Sequence, residues 1–156
     1  MSVRHLDHLN LSVVDLEQST DWYGRVFGFT REEQGLHNGV PWAILRSGEA
    51  MLCLYEEPTR EFIGHEDLRE RGLHGLNHFG LRIDDREAWE ALIEREGLVV
   101  RYGGRVDWPH SDAWYVVDPT GYEIEVVLWH DDRVRFPAAE HVGAVTDDFP
   151  PPRARE

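Results

Sequence analysis

An α+β fold of two βαβββ modules, their curved sheets pairing into a cup, is the fold class the sequence predicts. Three observations carry that expectation. First, HLNLSVVDLEQSTDWYGRVFGF, beginning at His8, is echoed by HFGLRIDDREAWEALIEREGL, beginning at His78. Second, each copy alternates apolar and polar residues, reaches an aspartate (Asp15, Asp85), takes on helical spacing and stops at a glycine (Gly28, Gly97). Third, each helix is followed by room for three short strands, with turn signals at Gly48 and at Pro119–Gly121 ahead of the last one. Repetition of this kind dictates architecture before any single residue does.

Taken in order, Leu9, Leu11 and Val13 alternate with His8, Asn10 and Ser12, which is the period of a half-buried strand with the histidine on its polar face. Asp15 followed three residues later by Gln18 is a capping-box pattern, and Leu16, Trp22, Tyr23, Val26 and Phe27 fall near helical spacing. Gly28 supplies the left-handed stop. Three strands are expected at about Phe29 to Gln34, Trp42 to Arg46 and Ala50 to Glu56. In the second copy, Phe79, Leu81 and Ile83 alternate with His78, Gly80 and Arg82, and a helix starting near Asp84 or Asp85 buries Trp89, Leu92 and Ile93. Its three strands are expected at about Val99 to Tyr102, Ala113 to Val117 and Tyr122 to Trp129. The modules are thus residues 1–57 and 76–130, joined by a charged linker over 58–75 and followed by a polar tail over 131–156, expected to be extended or disordered.

Composition narrows the partners. The 156 residues suit one domain or two small modules sharing a core, and 41% hydrophobic residues with six tryptophans can fill it. A formal net charge of -14 repels phosphate backbones and anionic lipid, so neither nucleic acid nor a membrane is expected as partner. The single cysteine, Cys53, has no internal disulfide partner and suits a reducing cytoplasm. The start, MSVRHLDHLN, has no apolar signal region, and no stretch reaches membrane-spanning length. A cytoplasmic protein is expected.

If helices cover the apolar face of each sheet, the polar faces have only each other, and the cup between them holds His8, His78 and whatever the last strands bring. DPTGYEIEVVLW puts Ile124, Val126 and Leu128 on one face and Glu123, Glu125 and Val127 on the other. A carboxylate within an apolar strand is costly to bury without a partner. Two imidazoles and a carboxylate make a facial set with open positions, typical of non-haem Fe(II) and suited also to Mn, Ni or Co. A substrate with two adjacent oxygens fills two of those positions. Each residue alone reads as structural, and spacing alone leaves the metal site and the structural reading evenly matched.

The pattern of His8, Leu11, Val13 and Asp15, then WYGRVFGF, HFGLRIDD and DPTGYEIEV, resembles the vicinal oxygen chelate superfamily over about residues 5 to 130. That superfamily includes glyoxalase I, extradiol dioxygenases, fosfomycin-resistance enzymes and bleomycin-resistance proteins. The resemblance implies the paired βαβββ fold, a homodimer, and a divalent metal (Fe(II) favoured; Mn, Ni, Co or Zn as alternatives) held by His8, His78 and Glu125. It leaves the reaction open. Cys53 falls where glyoxalase I carries a second metal-binding glutamate, and is either a soft-metal ligand or a small side chain filling space. Tyr115, ten residues before Glu125, resembles the extradiol dioxygenase tyrosine that orients a bound catecholate. His110, five residues before Tyr115, is either an acid/base or a plain loop residue. Trp42, Trp108 and Trp114 either wall the cup or belong to the core. Extradiol cleavage of a catechol-type substrate is the favoured chemistry. The alternatives are a glyoxalase-like lyase or isomerase, a thiol transferase acting on fosfomycin, for which Arg82 and Arg105 are the only basic hints, and a non-catalytic antibiotic binder.

Overall fold

Alternation and capping place the first elements where the sequence puts them. The computed structural model describes Val3 and residues 5–132. Strand β1 (Leu9–Val13) buries Leu11 and Val13 and leaves Asn10 and Ser12 on the opposite face. Helix α1 (Leu16–Phe27) opens where the Asp15 carboxylate accepts the Gln18 backbone N–H at 2.8 Å, and closes at Gly28 with φ 66°. A second carboxylate, Glu56, accepts the Leu16 N–H at 2.9 Å, so the helix start is tied to the end of the module's last strand.

Strands β2 (Thr30–His37), β3 (Val40–Ser47) and β4 (Ala50–Glu56) complete the first module. Both β2 and β3 run longer than their apolar residues predict. The reason is the two-residue turn Asn38–Gly39, with φ 52° and 82°, whose left-handed geometry matches the twist of a hairpin and lets pairing continue to His37 and Val40. The sheet order is β1-β4-β3-β2, with β1 parallel to β4 and the rest antiparallel.

The second module repeats this: β5 (Phe79–Arg82), α3 (Arg86–Glu96), β6 (Val106–Trp108), β7 (Ser111–Val117) and β8 (Glu123–Trp129), in the order β5-β8-β7-β6. Asp85 caps α3 through the Ala88 N–H at 3.0 Å, and Gly97 ends it with φ 61°. One expected strand is displaced. Val99 to Tyr102 is not a strand, and the third element of the sheet lies at Val106–Trp108. Val99 is 81% exposed, and Tyr102, Gly103 and Gly104 all take positive φ (55°, 78° and 116°), a turn that no ladder accommodates. One backbone bond survives there, from Arg101 N–H to the Tyr115 carbonyl at 2.8 Å. The linker is not featureless either: it carries a short helix, α2 (His65–Glu70). Of the tail expected from residue 131, all beyond Asp132 lies outside the described residues.

The expected α+β architecture of two βαβββ modules is the one the chain adopts, and both modules contribute to one core. Leu45, Leu54 and Val13 from the first sheet and Val116, Ile124 and Val126 from the second are buried in it, with Tyr23 and Trp89 from the helices. Phe27 of α1 stacks on Trp89 of α3 at 5.6 Å, and the buried Tyr23 hydroxyl donates to Asp118 at 2.9 Å. Asp118 also accepts the N–H groups of Thr120, Gly121 and Tyr122, so the DPTG turn of one module is locked to the helix of the other. No helix among the described residues is long and apolar enough to cross a membrane.

Candidate functional site

The strand register of the second module assembles a polar cluster on the face away from the helices. Gly80 pairs with Glu125 and Phe79 with Ile124 in the parallel β5·β8 ladder, which brings His78, just before β5, alongside the start of β8. In the antiparallel β7·β8 ladder Tyr115 is directly opposite Glu125. Because side chains alternate, Glu123 and Glu125 share this face while Ile124 and Val126 fill the core.

The contacts follow. His78 Nε2 lies 3.2 Å from Glu125 Oε2. The Tyr115 hydroxyl donates to the other oxygen, Oε1, at 2.9 Å, and the His78 and Tyr115 rings meet edge to face at 5.7 Å. The hydrogen bond from His78 holds the Glu125 carboxyl below its ordinary range despite partial burial, with Tyr115 adding to the effect. The same bond pushes the His78 imidazole up, against the opposing influence of burial. Burial, then the charge of Glu125, drives the Tyr115 phenol far above its usual value, so it stays a hydrogen-bond donor at neutral pH.

Around this pair lies a set that the sequence reading did not single out. Glu123 is 3% exposed and accepts the Tyr102 hydroxyl at 2.8 Å, with Arg101 Nη1 at 3.6 Å. Burial, then the bond to Glu123, pushes the Tyr102 phenol up to about 12. His65, from the linker helix, approaches Glu123 at 4.0 Å, and Arg101 pairs with Glu66 of the same helix at 2.8 Å. Alternation on β8 already placed Glu123 beside Glu125. Tyr102, Arg101 and His65 arrive through an irregular turn and a linker, for which periodicity offers no signal. Glu123 and His65 also line a cavity of about 380 Å³, whose walls include Asn10 and Ser12 of β1 and Tyr122. That volume is in the range of small-molecule sites.

The other candidate residues are elsewhere. His8 lies on the first module, bonded through Nδ1 to Asp7 at 2.8 Å, with its side chain 45% exposed. Among the described residues no group of three or more His, Cys, Asp or Glu side chains is placed to hold a metal ion, so His8 is not brought to His78 and Glu125 within the chain. His110 sits between β6 and β7, where its carbonyl accepts the His130 N–H at 3.0 Å. The β7 hairpin separates it from Tyr115 by most of a strand, so the two are not brought together. Cys53 pairs with Asn10 as Glu125 pairs with Gly80, which makes it the positional counterpart of Glu125, and burial raises its thiol pKa. Trp114 is a core residue at 2% exposure, whereas Trp42 stacks with Tyr55 at 6.5 Å and Trp108 is half-buried in β6. Arg82 lies over the Trp129 ring at 5.8 Å, and Arg105 pairs with Asp107 at 2.7 Å.

Comparison with known proteins adds three kinds of likeness. A family profile described as the Glyoxalase/Bleomycin resistance protein/Dioxygenase superfamily matches residues 5–126. Catechol-2,3-dioxygenase from Bacillus subtilis is 31% identical over 140 residues, covering 83% of this chain and 45% of the relative; the chain thus spans less than half of that enzyme's length. A probable lactoylglutathione lyase from Vibrio cholerae is 28% identical, covering 81% of this chain and 92% of that one. Glutathione transferase FosA from Serratia marcescens is 22% identical, over 80% of both chains. Among solved structures, a glyoxylase/bleomycin resistance protein/dioxygenase domain from Frankia superposes with a TM-score of 0.71 at 17% identity, covering 85% of this chain and 96% of that one.

Proposed function

Because the chain belongs to the Glyoxalase/Bleomycin resistance protein/Dioxygenase superfamily, we propose that it is a metal-dependent enzyme acting on a small substrate with vicinal oxygens, extradiol cleavage of a catechol being the favoured reaction. The observation that supports this is the convergence of His78, Glu125 and Tyr115 on one sheet face. A half-buried carboxylate facing an imidazole at 3.2 Å offers two donors of a facial site. His8 is the third in this reading, supplied by a second copy of the chain, because the chain's own His8 lies just before β1 of the other sheet and joins no such group among the described residues. A homodimer follows, with the first module of one copy facing the second module of the other.

A divalent cation, Fe(II) in the favoured reading, would supply Lewis-acid charge and a redox partner for dioxygen when bound. His78 and Glu125 would hold it, the Tyr115 hydroxyl would orient a substrate oxygen beside Glu125, and the cavity bordered by Glu123 would give the substrate room. The lyase reading keeps one specific support: the chain spans 92% of the lactoylglutathione lyase it resembles and 45% of the dioxygenase. Against it stands Cys53, a thiol where the resemblance to glyoxalase I implies a second carboxylate.

The deciding experiment is metal analysis of protein purified without added metal or chelator, followed by oxygen uptake with a panel of catechols. Near-stoichiometric iron and catechol-dependent oxygen consumption are expected, and Glu125→Gln is expected to lose both. An iron-loaded protein that consumes no oxygen with any catechol rules out ring cleavage and moves the assignment to the lyase.

A further inference from the structure

His78 stands between two carboxylates. Its Nε2 faces Glu125 at 3.2 Å, and its Nδ1 faces Glu123 Oε1 at 4.0 Å. This placement is built into the ladder: extending the Phe79–Ile124 and Gly80–Glu125 pairs by one residue sets His78 opposite Glu123. Glu123 is nearly inaccessible, at 3% exposure, and a carboxylate so placed must be partnered. Its Oε2 accepts from Tyr102 and lies 3.6 Å from Arg101. Its Oε1 lies 4.0 Å from each of two imidazoles, His78 and His65.

An imidazole that binds a cation offers the lone pair of one nitrogen and carries its proton on the other, where a carboxylate or carbonyl fixes the tautomer and the ring plane. We propose that Glu123 is the positioning residue for His78, accepting Nδ1–H so that the Nε2 lone pair is presented beside Glu125. The proposal rests on the metal-site reading above. The 4.0 Å separation is longer than a hydrogen bond; the close contact of the ring is from Nε2 to Glu125 at 3.2 Å, and binding of a cation at Nε2 would free the ring from it. Tyr102 and Arg101 hold Glu123 through Oε2, so its other oxygen has a set direction.

Glu123 also anchors Tyr102, so the test must separate orientation of His78 from support of the fold. Zinc is the probe, added to metal-free full-length protein in competition with a chromophoric chelator. Glu123→Ala is expected to weaken zinc binding 10- to 100-fold. Glu123→Gln, whose amide oxygen accepts the same proton without the charge, falls between it and the wild type. Tyr102→Phe removes one of the two groups that direct Glu123 but keeps the carboxylate itself, so its affinity is expected to fall less than that of Glu123→Ala. In zinc-loaded protein labelled at histidine nitrogen, His78 is expected to show a slowly exchanging Nδ1–H resonance that Glu123→Ala abolishes. Wild-type zinc affinity in Glu123→Ala, or a zinc-loaded wild type whose His78 carries no Nδ1 proton, overturns the proposal and leaves the metal site standing. If Glu123→Ala does not fold, Glu123→Gln and the wild-type spectrum decide the question. A wild type that takes up no zinc removes the metal reading itself, and this inference with it.

Discussion

Tyr115 reaches Glu125 because two strands are in register, and its chemistry follows from that one contact. Half-buried and facing a carboxylate, it keeps its proton and donates a hydrogen bond to Glu125. If the chain is the metal-dependent enzyme proposed above, Tyr115→Phe is expected to leave metal content near wild type while lowering turnover about 100-fold or more, within the usual range for a lost proton donor. Steady-state kinetics beside metal analysis separates the two effects. His110 provides the contrast. It has the residue type of an acid/base, but the structure holds it at the far end of β7 with its carbonyl on His130. His110→Ala is expected to change neither metal content nor turnover, and a large loss of turnover would show that it reaches the substrate after all. Residue type was legible at both positions. Only the register distinguished them.

At the scale of elements, capping and alternation made most strands and both long helices readable. Asp15 and Asp85 cap as their spacing predicts, and Gly28 and Gly97 stop the helices in left-handed geometry. The displaced strand shows where such signals run out. Val99, Val100 and Tyr102 have strand-like composition, yet positive φ at three consecutive residues, Tyr102 to Gly104, turns the chain away and delays pairing to Val106. The hairpin of β7 and β8 has its own clamp at the end remote from the site. Asp112, 3% exposed, accepts from Arg86 of α3 and lies 3.3 Å from His130. Burial pushes its carboxyl up, but His130 and Arg86 outweigh that and hold it below its ordinary value. A depressed folded-state pKa stabilises the fold fully above the unfolded value and loses that contribution as pH falls through the folded one. Asp112→Asn is thus expected to cost about 1–3 kcal/mol at neutral pH. Its deficit relative to wild type should shrink below about pH 4, where the unfolded-state carboxyl takes up its proton. Urea unfolding of both proteins across pH checks the sign and the size.

The whole molecule is two modules that share a core through their helices and one buried hydrogen bond. Tyr23→Phe removes the hydroxyl that Asp118 accepts across the junction, and is expected to cost about 1.5–3 kcal/mol, since the bond is to a charged group. Chemical denaturation measures it, and a loss near zero would mean that the three backbone N–H groups alone satisfy Asp118. Assembly is tested by complementation. Chains carrying His8→Ala and chains carrying Glu125→Gln, mixed under conditions that exchange subunits, are expected to recover roughly a quarter of the metal sites if each site draws on both copies. No recovery would mean that His8 is not shared between copies.

By itself the sequence determined the two βαβββ modules, the burial of Leu11, Val13, Ile124 and Val126, and the placement of Glu123 and Glu125 on one polar face, because periodicity and capping act over a few residues. Tertiary structure alone decided that His78, Glu125 and Tyr115 meet while His8 and His110 stay apart from them, and that Glu123 is buried between Tyr102 and two imidazoles. Those outcomes depend on strand register, on positive φ at Tyr102 and on the path of the linker helix, each settled by contacts between residues far apart in the chain, where local pattern carries no information.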